Sequence, residues 1–175
     1  MTRVSRDIVQ RARFGESAAI EEFVRENWAL VWRAAYAVTA DAQLAEDAAQ
    51  EAFIRALRSL DHLKKGPFGP WLRRIAINCA IDQLRRRPND WVGSELTPAA
   101  CLDELPKPGR DLVAAVLGLP LERRVVVVLH YWFDYTHKEI STLLQIPTGT
   151  VASRLSRALD ELYLRVTEVP SGTRP

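Results

Sequence analysis

THKEISTLLQIPTGTVASRLSRALDELYLR, residues 136–165, reads as two helices joined by a tight turn, and that reading decides the fold. Thr136 and Glu139 make the T-x-x-E spacing of a capping box, which opens a short helix carrying Ile140, Leu143 and Leu144. Gln145, Ile146 and Pro147 end it, because proline lacks a backbone donor and pushes the residue before it out of the helical region. Thr148 or Thr150 then caps a longer helix, in which Val151, Leu155, Ala158, Leu159 and Leu162 form one apolar stripe. Ser153, Arg154, Ser156 and Arg157 fall on the other side. Short donors and guanidinium groups near the start of such a helix suit phosphates and base edges in a major groove. An ordinary helical hairpin with a solvated basic face has the same spacing.

Upstream, residues 111–117 and residues 121–134 (LERRVVVVLHYWFD) are separated by Gly118, Leu119 and Pro120. Four consecutive valines suit a strand, but no partner strand is in sight and packing overrides the propensity of β-branched residues. A helix is expected. Before it, residues 88–110 lose all periodicity and are punctuated by Pro88, Gly93, Pro98, Pro106, Pro108 and Gly109. A connection of that length is too long for the inside of one compact domain. The fold class expected is therefore all-α, with two small helical domains over residues 1–88 and 111–175 joined by a flexible linker, residues 89–110.

In the first half, residues 3–39 read as two helices broken near Gly15, Glu16 and Ser17, the second of them core-forming. Residues 41–60 follow a helical period that gathers Ala45, Ala49, Ala52, Phe53, Ala56 and Leu60 on one side. Those small residues let a neighbouring helix approach closely. Opposite them, Asp47, Gln50, Glu51, Ile54 and Arg58 form a narrow stripe. A charged stripe is usually a solvated face, but Ile54 at its middle leaves an apolar centre with a polar rim, the composition of a small docking patch. Residues 61–69, with Lys64 and Lys65, read as a loop. The helix after it opens at Pro70 and places Trp71, Leu72, Ile75, Ala76 and Cys79 on its buried side. Arg74, Asn78, Ile81 and Arg85 are expected on the other side, with Asp82 at the edge. Five arginines against one aspartate over residues 71–87 give a local charge of +4 in a chain whose formal net charge is +2. Arginines at a helix C-terminus complement its dipole, which does not account for Arg73 and Arg74 near the other end. A basic helix beside a lysine loop favours a polyanion partner.

The remaining composition excludes more than it assigns. No apolar run approaches the length of a membrane span, so no membrane insertion is expected, and residues 1–17 lack the apolar core of a signal peptide, which places the chain in the cytoplasm. Cys79 and Cys101 are too few for a disulfide framework or a zinc site. His62, His130 and His137 show no spacing to a carboxylate or thiol that a metal or nucleophile site needs, and no glycine-rich phosphate loop is present. Neither an enzyme nor a cofactor is expected.

Three stretches in one order carry a family resemblance: AEDAAQEAF (residues 45–53), WLRRIAINCAIDQLRRR (residues 71–87) and HKEISTLLQIPTGTVASRLSRA (residues 137–158). Together they resemble the extracytoplasmic-function (ECF) group of bacterial sigma factors, from about residue 15 to residue 166. The resemblance implies a helical promoter-melting domain followed by a second helical domain ending in a helix-turn-helix, with core RNA polymerase and promoter DNA as partners. An anti-sigma factor is a further partner common in the family. It implies that Asp47, Gln50, Glu51 and Ile54 dock on the clamp of the polymerase, and that Asn78 and Asp82, with the preceding loop, engage the non-template strand of the minus-ten element. Gly149, Thr150, Val151, Ser153 and Arg154 match the G-T-V-x-S-R start of the helix that reads the minus-thirty-five element. The x of that motif is usually basic and is Ala152 here, which removes one base or phosphate contact. The loop KKGPFGPW, residues 64–71, holds two prolines and two glycines, an unusual shape for the strand-opening pocket. His137 and Lys138 stand where a small or aromatic residue is common. Two readings compete with this one: a two-domain DNA-binding regulator that does not recruit polymerase, and an interaction module whose helix-turn-helix is only structural. The Asp47 stripe separates them, since only the sigma reading requires it to bind polymerase.

Overall fold

A computed structural model describes residues 6–60, 68–86 and 107–167. The chain divides into two compact units, residues 1–96 and 97–175, and every described element in both is helical. Residues 61–67 of the expected loop, with Lys64 and Lys65, and the expected linker up to residue 106 lie outside the described residues, while Phe68 and Gly69, expected in that loop ahead of a helix opening at Pro70, already belong to the helix.

In the first unit, α1 (Arg6–Arg13) and α2 (Ser17–Thr39) are broken where the sequence indicated, at a Gly15 with φ of 79° that only glycine adopts without strain. Arg11 pairs across the break with Glu16. Ala40, with φ of 48°, ends α2, and Asp41 at once caps α3 (Ala42–Ser59) by accepting from the Leu44 N–H at 2.8 Å. The small face of α3 is buried as its period implied: Ala45, Ala49, Ala52, Phe53 and Ala56 are closed off, with Ala48 beside them. On it pack α2 and α4 (Phe68–Arg85), which also pack on each other. Phe23 meets Phe53 and Phe68 edge to face, with centroids 6.0 and 5.5 Å apart, and Trp28 stacks on Phe53.

The buried arc of α4 is wider than a one-sided stripe. Ile81, expected beside the exposed arginines, is 3 % exposed, and Ile77 and Ala80 are buried too. The cause is that α4 is covered by α2 and α3 together, so residues at the border of its polar face are taken into the core. Trp71 and Ile75, expected inside, are only half-buried, and Trp71 lies tilted against Phe68. Cys79 is buried as a small core residue, and burial pushes its thiol up to about 11.

The second unit holds α5 (Lys107–Leu117), α6 (Leu121–Val127) running on into a π-helical turn (Val128–Trp132), α7 (His137–Leu144) and α8 (Thr148–Thr167). Helix α5 begins four residues before the expected position 111, taking in Pro108 and Gly109. Pro108 is tolerated because it falls in the first turn, where a missing donor costs nothing. Val125, Val126, Val127 and Val128 are helical and buried, so core packing outweighs their strand propensity. Buried Arg124 secures the α5–α6 turn, donating from Nη1 to the Leu117 carbonyl at 3.0 Å. Ile140, Val151, Leu155, Ala158 and Leu162 close the core. Leu159 does not join them: it is 43 % exposed. At about 100° per residue it sits roughly 80° round the helix from Val151, whereas Leu155, Ala158 and Leu162 lie within about 40°. It shares its side of α8 with the exposed Tyr163 and Val166. Among the described residues no helix is long and apolar enough to cross a membrane.

Candidate nucleic-acid and protein interfaces

The first surface lies on α3. Its alanine face is committed to the core, so the opposite side is presented to solvent by the helical period alone. There Ile54 is 44 % exposed, Gln50 is exposed, and Asp47 and Glu51 are half-buried. Asp47 accepts from the Gln43 amide at 3.2 Å, and Glu51 accepts from Arg55 Nε at 2.7 Å. The four residues singled out in the sequence therefore do share one face, an isoleucine with Asp47, Gln50 and Glu51 before it and Arg58 after it.

On α4, Arg74 and Arg85 are exposed, while Asn78 and Asp82, one turn apart, are half-buried on the same side. Asp82 is held twice, by Arg55 Nη1 at 3.0 Å from α3 and by Arg85 Nη1 at 3.7 Å from its own helix. Hydrogen bonds to Glu51 and then Asp82 push the Arg55 guanidinium above its ordinary pKa. Arg55 was not among the residues picked from the sequence. The i, i+4 spacing from Glu51 was visible there, but its bond to a residue 27 positions on was not.

The second surface is the helix-turn-helix formed by α7 and α8. The capping box at Thr136 is complete: Glu139 N–H donates to Thr136 Oγ1 at 3.3 Å, and Thr136 N–H donates to Glu139 Oε2 at 2.9 Å. Helix α7 ends on Gln145 in the left-handed region, with φ of 56° and its N–H on the Ser141 carbonyl. Ser141 also donates from Oγ to the Ile146 carbonyl at 2.6 Å, so a single serine fastens the turn to the helix it leaves. The Pro147 carbonyl then accepts from Thr150 and Val151 N–H at 2.9 and 3.2 Å, which starts α8 at Thr148. Thr148 and Thr150, the two expected caps, thus both lie inside the first turn, and Pro147 holds the capping position. Because Gln145 is exposed and bears the cost of a positive φ, Gln145→Gly should stabilise the protein by about 0.5–1 kcal/mol, read as a rise in Tm.

With Val151 buried, Ala152, Ser153, Ser156 and Arg157 are exposed along α8. Ser153 Oγ donates to the Thr150 carbonyl at 3.1 Å. Arg154 is held in an ion pair, Nη2 to Glu122 Oε2 at 2.8 Å, its side chain 24 % exposed against 70 % for the glutamate. Glu122 is the second residue that sequence reading missed, since it lies on α6 and no local spacing joins it to Arg154. His137 packs its ring on His130, centroids 5.1 Å apart, while Lys138 is exposed.

Family models match both units. A model of sigma-70 region 2 matches residues 23–89, and one of sigma-70 region 4 matches residues 109–162. The chain is 36 % identical over 168 residues to the ECF RNA polymerase sigma factor SigE of Mycolicibacterium smegmatis, covering 85 % of this chain but 63 % of that protein. With the ECF RNA polymerase sigma factor SigL of Mycobacterium tuberculosis it shares 34 % identity over 176 residues, covering 92 % of this chain and 96 % of SigL. Among solved structures, the sigma factor RpoE of Bartonella quintana, crystallised with the anti-sigma factor NepR, shares the fold with a TM-score of 0.57 at 21 % identity, over 85 % of this chain and 99 % of that one.

Proposed function

The chain belongs to the extracytoplasmic-function sigma factors of RNA polymerase, and on that premise we propose that it binds core polymerase and directs it to promoters by engaging minus-ten and minus-thirty-five elements. The observation that carries this reading is the exposed Ile54 among Asp47, Gln50 and Glu51, an apolar docking centre on the helix whose other face is spent on the core. A DNA-binding regulator acting alone has no use for it. Residues 1–88 are the part that docks and melts, and residues 107–175, from the start of α5, the part that reads the upstream element, with the linker between them. Arg74, Asn78, Asp82 and Arg85, with Lys64 and Lys65, receive the displaced strand. Thr150, Ser153, Arg154 and Arg157 face the upstream duplex. An anti-sigma factor of the kind that accompanies the Bartonella protein is proposed as the regulator, and the cytoplasm as the place of action.

Two measurements test this. Gel filtration with core polymerase should give a stable complex, and elution of the protein apart from the enzyme would contradict the docking role. Promoter titrations should show Arg154→Ala and Arg157→Ala each weakening minus-thirty-five binding by roughly 1–2 kcal/mol. The two should differ in kind. Arg154, steadied by Glu122, is built for a defined geometry and should lose preference at one base pair. Exposed Arg157 should weaken every sequence alike and flatten the salt slope. Glu122→Gln, removing the brace while leaving the arginine, should reduce discrimination more than affinity. Unchanged binding in both arginine variants would remove α8 from the reading surface.

A further inference from the structure

Arg55 joins two groups that the proposed function uses separately. Its Nε holds Glu51 on the docking stripe of α3, and its Nη1 holds Asp82 on the strand-engaging face of α4. We propose that Arg55 is a positioning residue that couples polymerase docking to minus-ten strand capture. The proposal rests on the functional reading of those two faces.

The chemistry favours an arginine in this place. A planar guanidinium offers donors on two edges and can hold two carboxylates at fixed geometry, which a lysine ammonium cannot do with equal precision. Asp82 needs such a partner. It is an acid on a face with Arg74 and Arg85 that is to receive a polyanion, and an uncompensated carboxylate there would repel phosphates. Arg55 and Arg85 together offset its charge and fix which way its oxygens point, one turn from Asn78.

The bridge also has a direction of influence. A cation on the polymerase that engages Glu51 competes with Arg55 for the same oxygens. As Glu51 is drawn away, the guanidinium is left to Asp82 alone, and the charge and order around the strand-capturing residues change. By reciprocity, a strand held at Asp82 alters the ease with which Glu51 is surrendered to the enzyme. Two sites on different helices are thus linked through one side chain that need contact neither partner.

A double-mutant cycle on the full chain with core enzyme tests this, using Glu51→Gln, Arg55→Gln, Asp82→Asn and the Arg55→Gln/Asp82→Asn pair. The readouts are affinity for core enzyme, open-complex formation on a duplex promoter, formation on the same promoter already melted at the minus-ten element, and Tm. Arg55→Gln is expected to lower duplex opening about tenfold, with a smaller loss on the melted template, and to add little in the Asp82→Asn background. Arg55→Lys should restore part of the activity, since it keeps the charge but reaches one carboxylate at a time. Full additivity in the double mutant overturns the coupling. So does a lowered Tm with equal losses on both templates, which would mark Arg55 as a structural brace. If Glu51→Gln leaves core affinity and Asp82→Asn leaves opening untouched, the functional reading of the two faces fails, and the coupling with it.

Discussion

Asp47→Lys combined with Ile54→Ala is expected to lower affinity for core polymerase by about 3 kcal/mol, more than a hundredfold, and to leave the far-ultraviolet circular dichroism spectrum unchanged. The expected size comes from two sources. Ile54 is the apolar centre of the patch, and truncating a side chain that is 44 % exposed in the free protein removes area that docking would bury. Asp47 stands at one end of the stripe and Arg58 at the other, and a lysine at 47 reverses the local charge that the partner surface meets. The fold is spared because α3 is anchored by Ala45, Ala49, Ala52, Phe53 and Ala56 on its far side, none of which is touched. Titration of labelled protein with core enzyme reads the loss. A double variant that binds as tightly as the parent moves the docking surface elsewhere.

Asn78→Ala should cost about 2 kcal/mol in open-complex formation on duplex promoters, roughly thirtyfold, and less on a template already melted at the minus-ten element. Asn78 offers both a donor and an acceptor beside guanidinium groups that only donate, so it is suited to pair with an unstacked base, as Arg74 and Arg85 are suited to bind backbone. It is half-buried, which limits its rotamers and the entropy lost on binding. Equal losses on the two templates would still place a base contact at Asn78, made in both. No loss on either would remove it from the strand-binding face.

The parts of this protein that were legible in its sequence are those fixed by neighbours three or four residues away. The capping box at Thr136, the alanine face of α3, the break at Gly15 and the side of α8 that carries Ser153 and Arg157 all follow from local period and local hydrogen bonding. The misses lie at the edges of stripes and between helices. Ile81 and Leu159 each stand at a border between faces, where what covers the helix decides burial: α4 is flanked by two neighbours that draw Ile81 inside, while Leu159, roughly 80° round α8 from Val151, falls outside the buried arc. Arg55–Asp82 and Arg154–Glu122 each join residues far apart in the chain, so no spacing rule reveals them. Proline alone does not make the turn at residues 145–147: Gln145 and the Ser141 hydroxyl shape it as much. The four valines illustrate the converse. Their strand propensity is real, and a buried position in a helix-on-helix core overrides it.

Sequencing the transcripts made on genomic DNA by core enzyme, with and without the protein, shows whether two separate surfaces act with polymerase on one promoter. Start sites are expected that appear only with the protein, share paired upstream and minus-ten elements, and disappear with Asp47→Lys/Ile54→Ala. Binding to specific DNA without any protein-dependent start would contradict it, and would make the chain a DNA-binding regulator that does not recruit polymerase.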